Sequence, residues 1–187
     1  MPKQFASKEK ARETIVAAAG RKLREAGFEG IGVDGLMSEA RLTSGAFYTQ
    51  FDSKKDLLIE VLRDGLEGIK TQFAAWREKY GDDWLAKGLE EYLSLEHHSH
   101  VAEGCLLPTL TVDAARAGSE AQAVFEQKLR ELVDESSKNL PETSKPDPKQ
   151  RIWATLALMA GGMMLARAVQ NEETAIEILA ACRRFAE

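Results

Sequence analysis

Between Thr43 and Lys54 the chain reads Thr-Ser-Gly-Ala-Phe-Tyr-Thr-Gln-Phe-Asp-Ser-Lys, a dense run of hydroxyls, one amide and a cation around two phenylalanines four residues apart. No nucleophile–base pair or metal-ligand spacing emerges from it. What it offers is hydrogen bonding to an extended polar surface. Phe47 and Phe51 anchor one side of a short helix, leaving Thr43, Ser44, Gly45, Ala46, Tyr48, Thr49 and Gln50 small or polar around the rest. Such a segment suits insertion into the major groove of DNA. Gln50 can pair bidentately with adenine, and Thr49 can offer its methyl to thymine. The Tyr48 hydroxyl is placed to donate to phosphate, although between two anchors the ring could equally be core. Lys54 falls in the first turn of the next helix, where the dipole disfavours a cation and so points to a nearby anion. Thr43 and Ser44 can cap the short helix and still meet phosphate, because helix N-termini do both.

Other candidate chemistry is sparse. His97, His98 and His100 are the only histidines. With no cysteine pair or acidic motif at matching spacing, they read as a polar surface loop rather than a zinc site. There is no glycine-rich phosphate loop, no G-x-S-x-G and no H-E-x-x-H. Glu90-Glu91 and Glu172-Glu173 look like solvated helix faces. The sequence therefore predicts no catalysis, no cofactor and no metal.

These residues need elements to hold them. A first helix is expected from about Lys8 to Ala26, with Gly27 as a left-handed C-cap and Phe28 packing back. A second runs through Val33, Leu36, Met37 and Ala40, and Leu42 sits in the break before Thr43. Ser53, with Asp56 three residues on, caps a long fourth helix. Its apolar positions Leu58, Val61, Leu62, Leu66, Ile69, Phe73, Trp76 and Tyr80 run past a small N-terminal head into the remainder of the chain.

The remainder reads as all-helical. A helix follows Gly81-Asp82-Asp83, the polar stretch Glu96–Glu103 reads as loop, and a helix resumes near Gly104. Gly118 ends that one, and Ser119 with Gln122 suggests a capping box for the next. Leu140–Pro148 holds three prolines and forms the clearest loop. Asp147, Pro148 and Gln150 start another helix, and Asn171 caps the last, acidic at its start and basic at its end. Nine helices are expected. Phe73, Trp76, Trp84, Tyr92, Phe125, Met159 and Met163 are either core or the walls of an apolar pocket between helices. In the last two helices Trp153, Leu156, Met163, Ile176 and Leu179 give more apolar surface than a solvated face carries, through burial in one protomer or against a second copy.

The net charge of −5 argues at first against nucleic acid, but its distribution does not. Residues 1–56 carry 10 basic against 8 acidic groups, residues 57–187 carry 15 against 22, and within residues 1–24 the balance is 7 to 2. A basic end on an acidic body suits a protein that meets phosphate at one end. No apolar run approaches a membrane span, and the polar start MPKQFASKEK lacks a signal-peptide core. The isolated Cys105 and Cys182 are expected as thiols. A cytoplasmic location follows as an expectation.

Taken together, Gly27-Phe28, Thr43-Ser44-Gly45-Ala46-Phe47-Tyr48, Phe51 and Ser53-Lys54-Lys55-Asp56-Leu57 resemble the TetR family of transcriptional regulators over about residues 9–69. Three positions depart from the family pattern: Arg41 for a turn glycine, Gly32 for Thr or Ser, and Gly35 for an apolar residue. The resemblance implies a helix-turn-helix head over residues 9–56 and an effector-binding, dimerising helical body over residues 57–187. It also implies backbone contacts by Tyr48 and Lys54, a homodimer through the last two helices on palindromic operator DNA, and a small apolar or amphipathic effector, most simply releasing a repressor. Two other classes stay compatible with the sequence: an all-α small-molecule-binding protein or enzyme, and an interaction module without DNA binding.

Overall fold

In the computed structural model, which describes residues 2–141 and 146–185 with side chains from residue 8 onward, the chain is built of helices and no strand occurs among the described residues. The first three are α1 (Pro2–Ala26), α2 (Val33–Glu39) and α3 (Ser44–Tyr48). α1 starts earlier than the sequence pattern indicates, because its polar first residues contain no breaker and proline is tolerated in a first turn. Gly27, at φ 72°, closes it as expected. Ile15, Ala19 and Leu23 of α1, Leu36 and Met37 of α2 and Phe47 of α3 share one core.

The long helix α4 (Lys54–Tyr80) begins where Ser53 accepts from the Asp56 amide at 3.1 Å. Its Leu57, Leu58, Val61 and Leu62 bury among the first helices, and Leu66, Ile69, Phe73 and Trp76 continue the same core toward the C-terminal elements. After a 3-10 turn at Gly81–Asp83 come α5 (Trp84–Tyr92), α6 (Leu95–Ser99), α7 (Leu107–Arg116), α8 (Ser119–Ser137), α9 (Pro148–Ala168) and α10 (Glu172–Phe185). α4 packs along α5 and α8, and α9 pairs with α10. No helix among the described residues is long and apolar enough to cross a membrane.

All nine expected helices are present, and α6 adds one turn where the polar segment reads as loop. Ser94 makes that turn possible by accepting from the His97 amide at 3.2 Å. The start of α8 also differs from expectation. Gly118, at φ 96°, is the residue before the helix, and Ser119 already lies in its first turn. Gln122 therefore makes no capping box and donates instead to the Ala115 carbonyl at 2.7 Å. Asp147 caps α9 through the amides of Lys149 and Gln150, and Asn171 accepts from the Thr174 amide at 2.8 Å. Of the expected proline loop, residues 142–145 lie outside the described residues.

Candidate DNA-binding face and ligand cavity

α3 is held from beneath. Phe47 is 0% exposed and meets Tyr48 edge-on and Phe51 in a stack, with ring centroids 5.1 and 5.5 Å apart. Arg12 of α1 lies over the Phe51 ring and donates to the Gln50 carbonyl at 2.6 Å, fixing the end of the helix. Above this anchor Tyr48 is 66% exposed, and Thr43, Gly45 and Thr49 are exposed beside it. Ser44, Ala46 and Gln50 are half-exposed.

Local bonds already engage several of these side chains. Ser44 donates to Asp34 of α2, and Thr49 donates to the Ala46 carbonyl at 2.7 Å. Thr43 occupies the N-cap position, yet its side chain makes no capping bond. Arg41 holds φ 56° in the turn, the strained conformation its place in the motif implies. Lys54 does more than the sequence indicates. Its ammonium donates to the Phe28 carbonyl and lies over the Phe28 ring, so it ties the start of α4 to the end of α1.

A cavity of about 760 Å³ opens between α1, α4, α5, α6 and the turn before α7. Phe73, Trp76, Tyr92 and Met159 line it as the sequence suggests, whereas Trp84, Phe125 and Met163 are not among its lining residues. Trp84 packs against Phe73 inside the core and Met163 is fully buried there; Phe125 packs half-buried on the core. The wall is more polar than apolar patterning indicates, since Arg24, His97 and Cys105 join it.

The histidines are not a free surface loop. His97 accepts from the Cys105 amide at 3.1 Å through Nε2, so Nδ1 carries the proton and donates to the Tyr92 carbonyl at 2.8 Å. Burial holds this imidazole below its usual pKa. His98 and His100 bond to the carbonyls of Ala166 and Glu96. Among the described residues no group of three or more His, Cys, Asp or Glu converges as a metal site. Burial likewise pushes the Tyr92 phenol and the Cys105 thiol up, and lowers the Arg24 and Arg167 guanidiniums.

At the rim, Glu91 accepts from Tyr80 at 2.7 Å, Lys79 at 2.9 Å and the Trp76 indole at 3.4 Å. Tyr80 and then Lys79 hold its carboxyl below the usual range.

α9 and α10 divide their apolar residues between two faces. Leu156, Met163 and Leu179, expected at a contact with a second copy, are buried in the protomer's own core. The opposite faces expose Trp153 and Ile176, joined on α9 by Met164 and Leu165. The sequence places Ile152, Leu156, Met159, Met163 and Ala166 on one helical stripe, and that stripe is the buried one; the exposed Trp153 and Leu165 lie off it.

A short helix anchored by aromatics, carried on two supporting helices and followed by a long capped one, defines a helix-turn-helix DNA-binding regulator. Residues 15–61 match the family model of the bacterial regulatory proteins of the tetR family. The chain is 22% identical over 173 residues to a helix-turn-helix transcriptional regulator from the lacX 3' region of Lactococcus lactis subsp. lactis, a match covering 86% of this chain and 85% of that one. Its fold is similar to a TetR regulatory protein from Rhodobacter sphaeroides, with TM-score 0.76, 17% identity and coverage of 94% and 96%. It is also similar to AibR in a complex with isovaleryl coenzyme A and operator DNA, with TM-score 0.64, 15% identity and coverage of 94% and 97%. Residues 15–61 thus carry the DNA-binding domain of the tetR family, and the chain over most of its length is similar to helix-turn-helix transcriptional regulators.

Proposed function

We propose that the protein is a cytoplasmic, homodimeric repressor that leaves a palindromic operator when a small molecule fills the cavity between α1, α4 and α6. The observation that carries this reading is the two-sidedness of α3. Its aromatic anchor Phe47 is wholly buried, whereas Tyr48, Thr49 and Gly45 are exposed beside it. Under this reading residues 9–56 form the DNA-binding head and residues 57–187 the effector-binding and dimerisation body. Thr43, Ser44, Gly45, Ala46 and Tyr48 meet the backbone, and Thr49 and Gln50 reach base edges. Lys54 serves the same face chiefly by holding α4 against Phe28, with its charge turned toward the phosphates. Two copies join through the exposed stripe of Trp153, Met164 and Ile176, since two-fold protein symmetry pairs with palindromic half-sites.

AibR, whose fold is similar, was solved with both isovaleryl coenzyme A and operator DNA, which supports a fold that takes a small molecule as well as DNA. Here α4 runs unbroken from Lys54 to the cavity wall at Trp76. Typical coupling is about 1–3 kcal/mol, so a saturating ligand weakens operator binding roughly 5- to 150-fold, and operator weakens ligand binding equally.

The test is operator selection from random duplexes, followed by affinity against salt. Inverted repeats are expected, with affinity falling steeply as salt rises. Trp153→Glu should give a folded monomer in sedimentation with little operator affinity. A wild-type protein sedimenting as a monomer of the 20.7 kDa chain mass at micromolar concentration sinks the dimeric reading.

A further inference from the structure

We infer that the effector is a small monoanion with an apolar body, and that its charge is read by Arg24, a residue of the DNA-binding head's own first helix. This rests on the reading of the cavity as the effector site.

The part of the cavity lined by Arg24, Tyr92 and Cys105 has hydrogen-bond donors to spare. The Tyr92 hydroxyl is buried, on a residue only 6% exposed, and meets no stronger partner than the Cys105 thiol, itself a weak one. Arg24 reaches the cavity from α1, half-buried, with its Nε on the Ala102 carbonyl at 2.6 Å; Glu103 and Asp64 act on it electrostatically, but among the described residues no carboxylate forms an ion pair with it. Behind this wall Arg167 gives Nε and Nη2 to the carbonyls of His98 and His97, while its Nη1 is buried and unpartnered. Cys105 lies within the electrostatic reach of both guanidiniums. Both ring nitrogens of His97 are committed to backbone groups, so it supplies no free acceptor.

Arg24 on the wall, Arg167 behind it and a buried phenol beside a thiol make this part of the cavity electropositive and rich in donors, which suits an acceptor carrying negative charge. Leaving buried donors unpaired is costly, and charged hydrogen bonds recover the most. Beyond this part the walls are Ile69, Phe73, Trp76 and Met159, which suit a hydrocarbon or aromatic body.

Charge at the mouth limits how much anion enters. Asp64 and Glu96 stand exposed at the rim, and the Glu91 carboxylate is matched only by Lys79. A polyphosphorylated thioester would set several negative charges against this rim, whereas a monocarboxylate passes one charge inward. About 760 Å³ also matches an ordinary small-molecule pocket. The link to DNA is short. An anion that draws Arg24 from the Ala102 carbonyl acts on α1, and α1 packs directly on α2.

The experiment is a fluorescence titration reading Trp76 with matched probes: octanoate and 4-phenylbutyrate, their amides, 4-phenylbutylamine and octanoyl-coenzyme A. At least one acid should bind roughly tenfold or more tightly than its amide, with the amine and the thioester weaker still. Arg24→Gln should bring the acid-to-amide ratio near one. Tyr92→Phe, which keeps the buried ring and removes only the hydroxyl, should reduce it severalfold. Equal acid and amide affinities, preference for the amine or the thioester, no binding by any probe, or unchanged ratios in both variants would each overturn the inference. A neutral probe that still releases operator would leave the regulator reading intact while removing the anion. A monoanion that binds without altering operator affinity would do the reverse.

Discussion

The outer face of α3 and the cavity wall around Arg24 and Tyr92 are both polar surfaces, built in opposite ways. On α3 the Tyr48 hydroxyl is exposed and costs nothing to leave without a protein partner, because water serves it. In and behind the cavity wall, the Tyr92 hydroxyl and one Arg167 nitrogen are held away from water without a strong protein partner. The first surface needs a firm foundation and tolerates variation on top. The second depends on the identity of each buried group, because a mispaired donor there costs about 1–3 kcal/mol.

The foundation can be broken outright. Phe47→Ala removes a wholly buried ring from the small core beneath α3 and should cost about 3–5 kcal/mol. Denaturant unfolding should show this loss, with operator binding gone even where α4 to α10 remain helical. Survival of wild-type affinity would mean that α3 needs no such anchor.

A smaller loss separates holding from contacting. Lys54→Ala removes the bond to the Phe28 carbonyl and the contact with its ring, which should cost about 1–2 kcal/mol of thermal stability without DNA. If the ammonium also meets phosphate, the salt slope of operator binding falls by about one per subunit. Lower stability with an unchanged slope assigns the lysine to the fold alone.

On the cavity side, His97 is kept neutral by burial, so its folded pKa lies below that of the unfolded chain. Its contribution is therefore complete above the usual imidazole range, about 6.5, and is lost as pH falls toward the folded value. His97→Gln should lower the melting temperature at pH 7.5 by removing the bond to the Tyr92 carbonyl. The gap to wild type should narrow at pH 5.5, and a gap that widens with acid contradicts the neutral tautomer.

The smallest effect is a gain. Arg41→Gly relieves a left-handed residue at φ 56° in the turn and should stabilise the head by up to about 1 kcal/mol. Calorimetry is sensitive enough to resolve it.

The same contrast governs what the sequence discloses. The α3 face comes from consecutive residues whose spacing carries its meaning, so the Phe47 anchor, the Ser53 cap and the strained Arg41 were all readable in order. The cavity gathers Arg24 from α1, Tyr92 from α5, His97 from α6 and Cys105 from the turn before α7. No window of sequence contains them together. Arg24 passes for a cation that suits a helix C-terminus, and three histidines in a polar stretch pass for a solvated loop. The signal that could have been used is the flanking pattern. A polar segment clamped between two apolar helices and ending in Gly104-Cys105-Leu106-Leu107 cannot remain wholly outside. The apolar wealth of α9 misled differently: Leu156 and Met163 lie on its stripe and Trp153 off it, and a stripe alone does not say whether its own protomer or a second copy covers it.

One hydrogen bond crosses from the N-terminal helices to the rest of the chain in a way that can be watched directly. The Phe28 amide, just past the left-handed Gly27, donates to Asp113 of α7 at 3.0 Å. Its proton is therefore shielded by a carboxylate 85 residues away rather than by its own helix. Its exchange with deuterium reports separation of α7 from α1, whatever the rest of either helix does. Followed through a ligand titration, this one resonance would time the parting of the two regions without a label, a mutation or DNA.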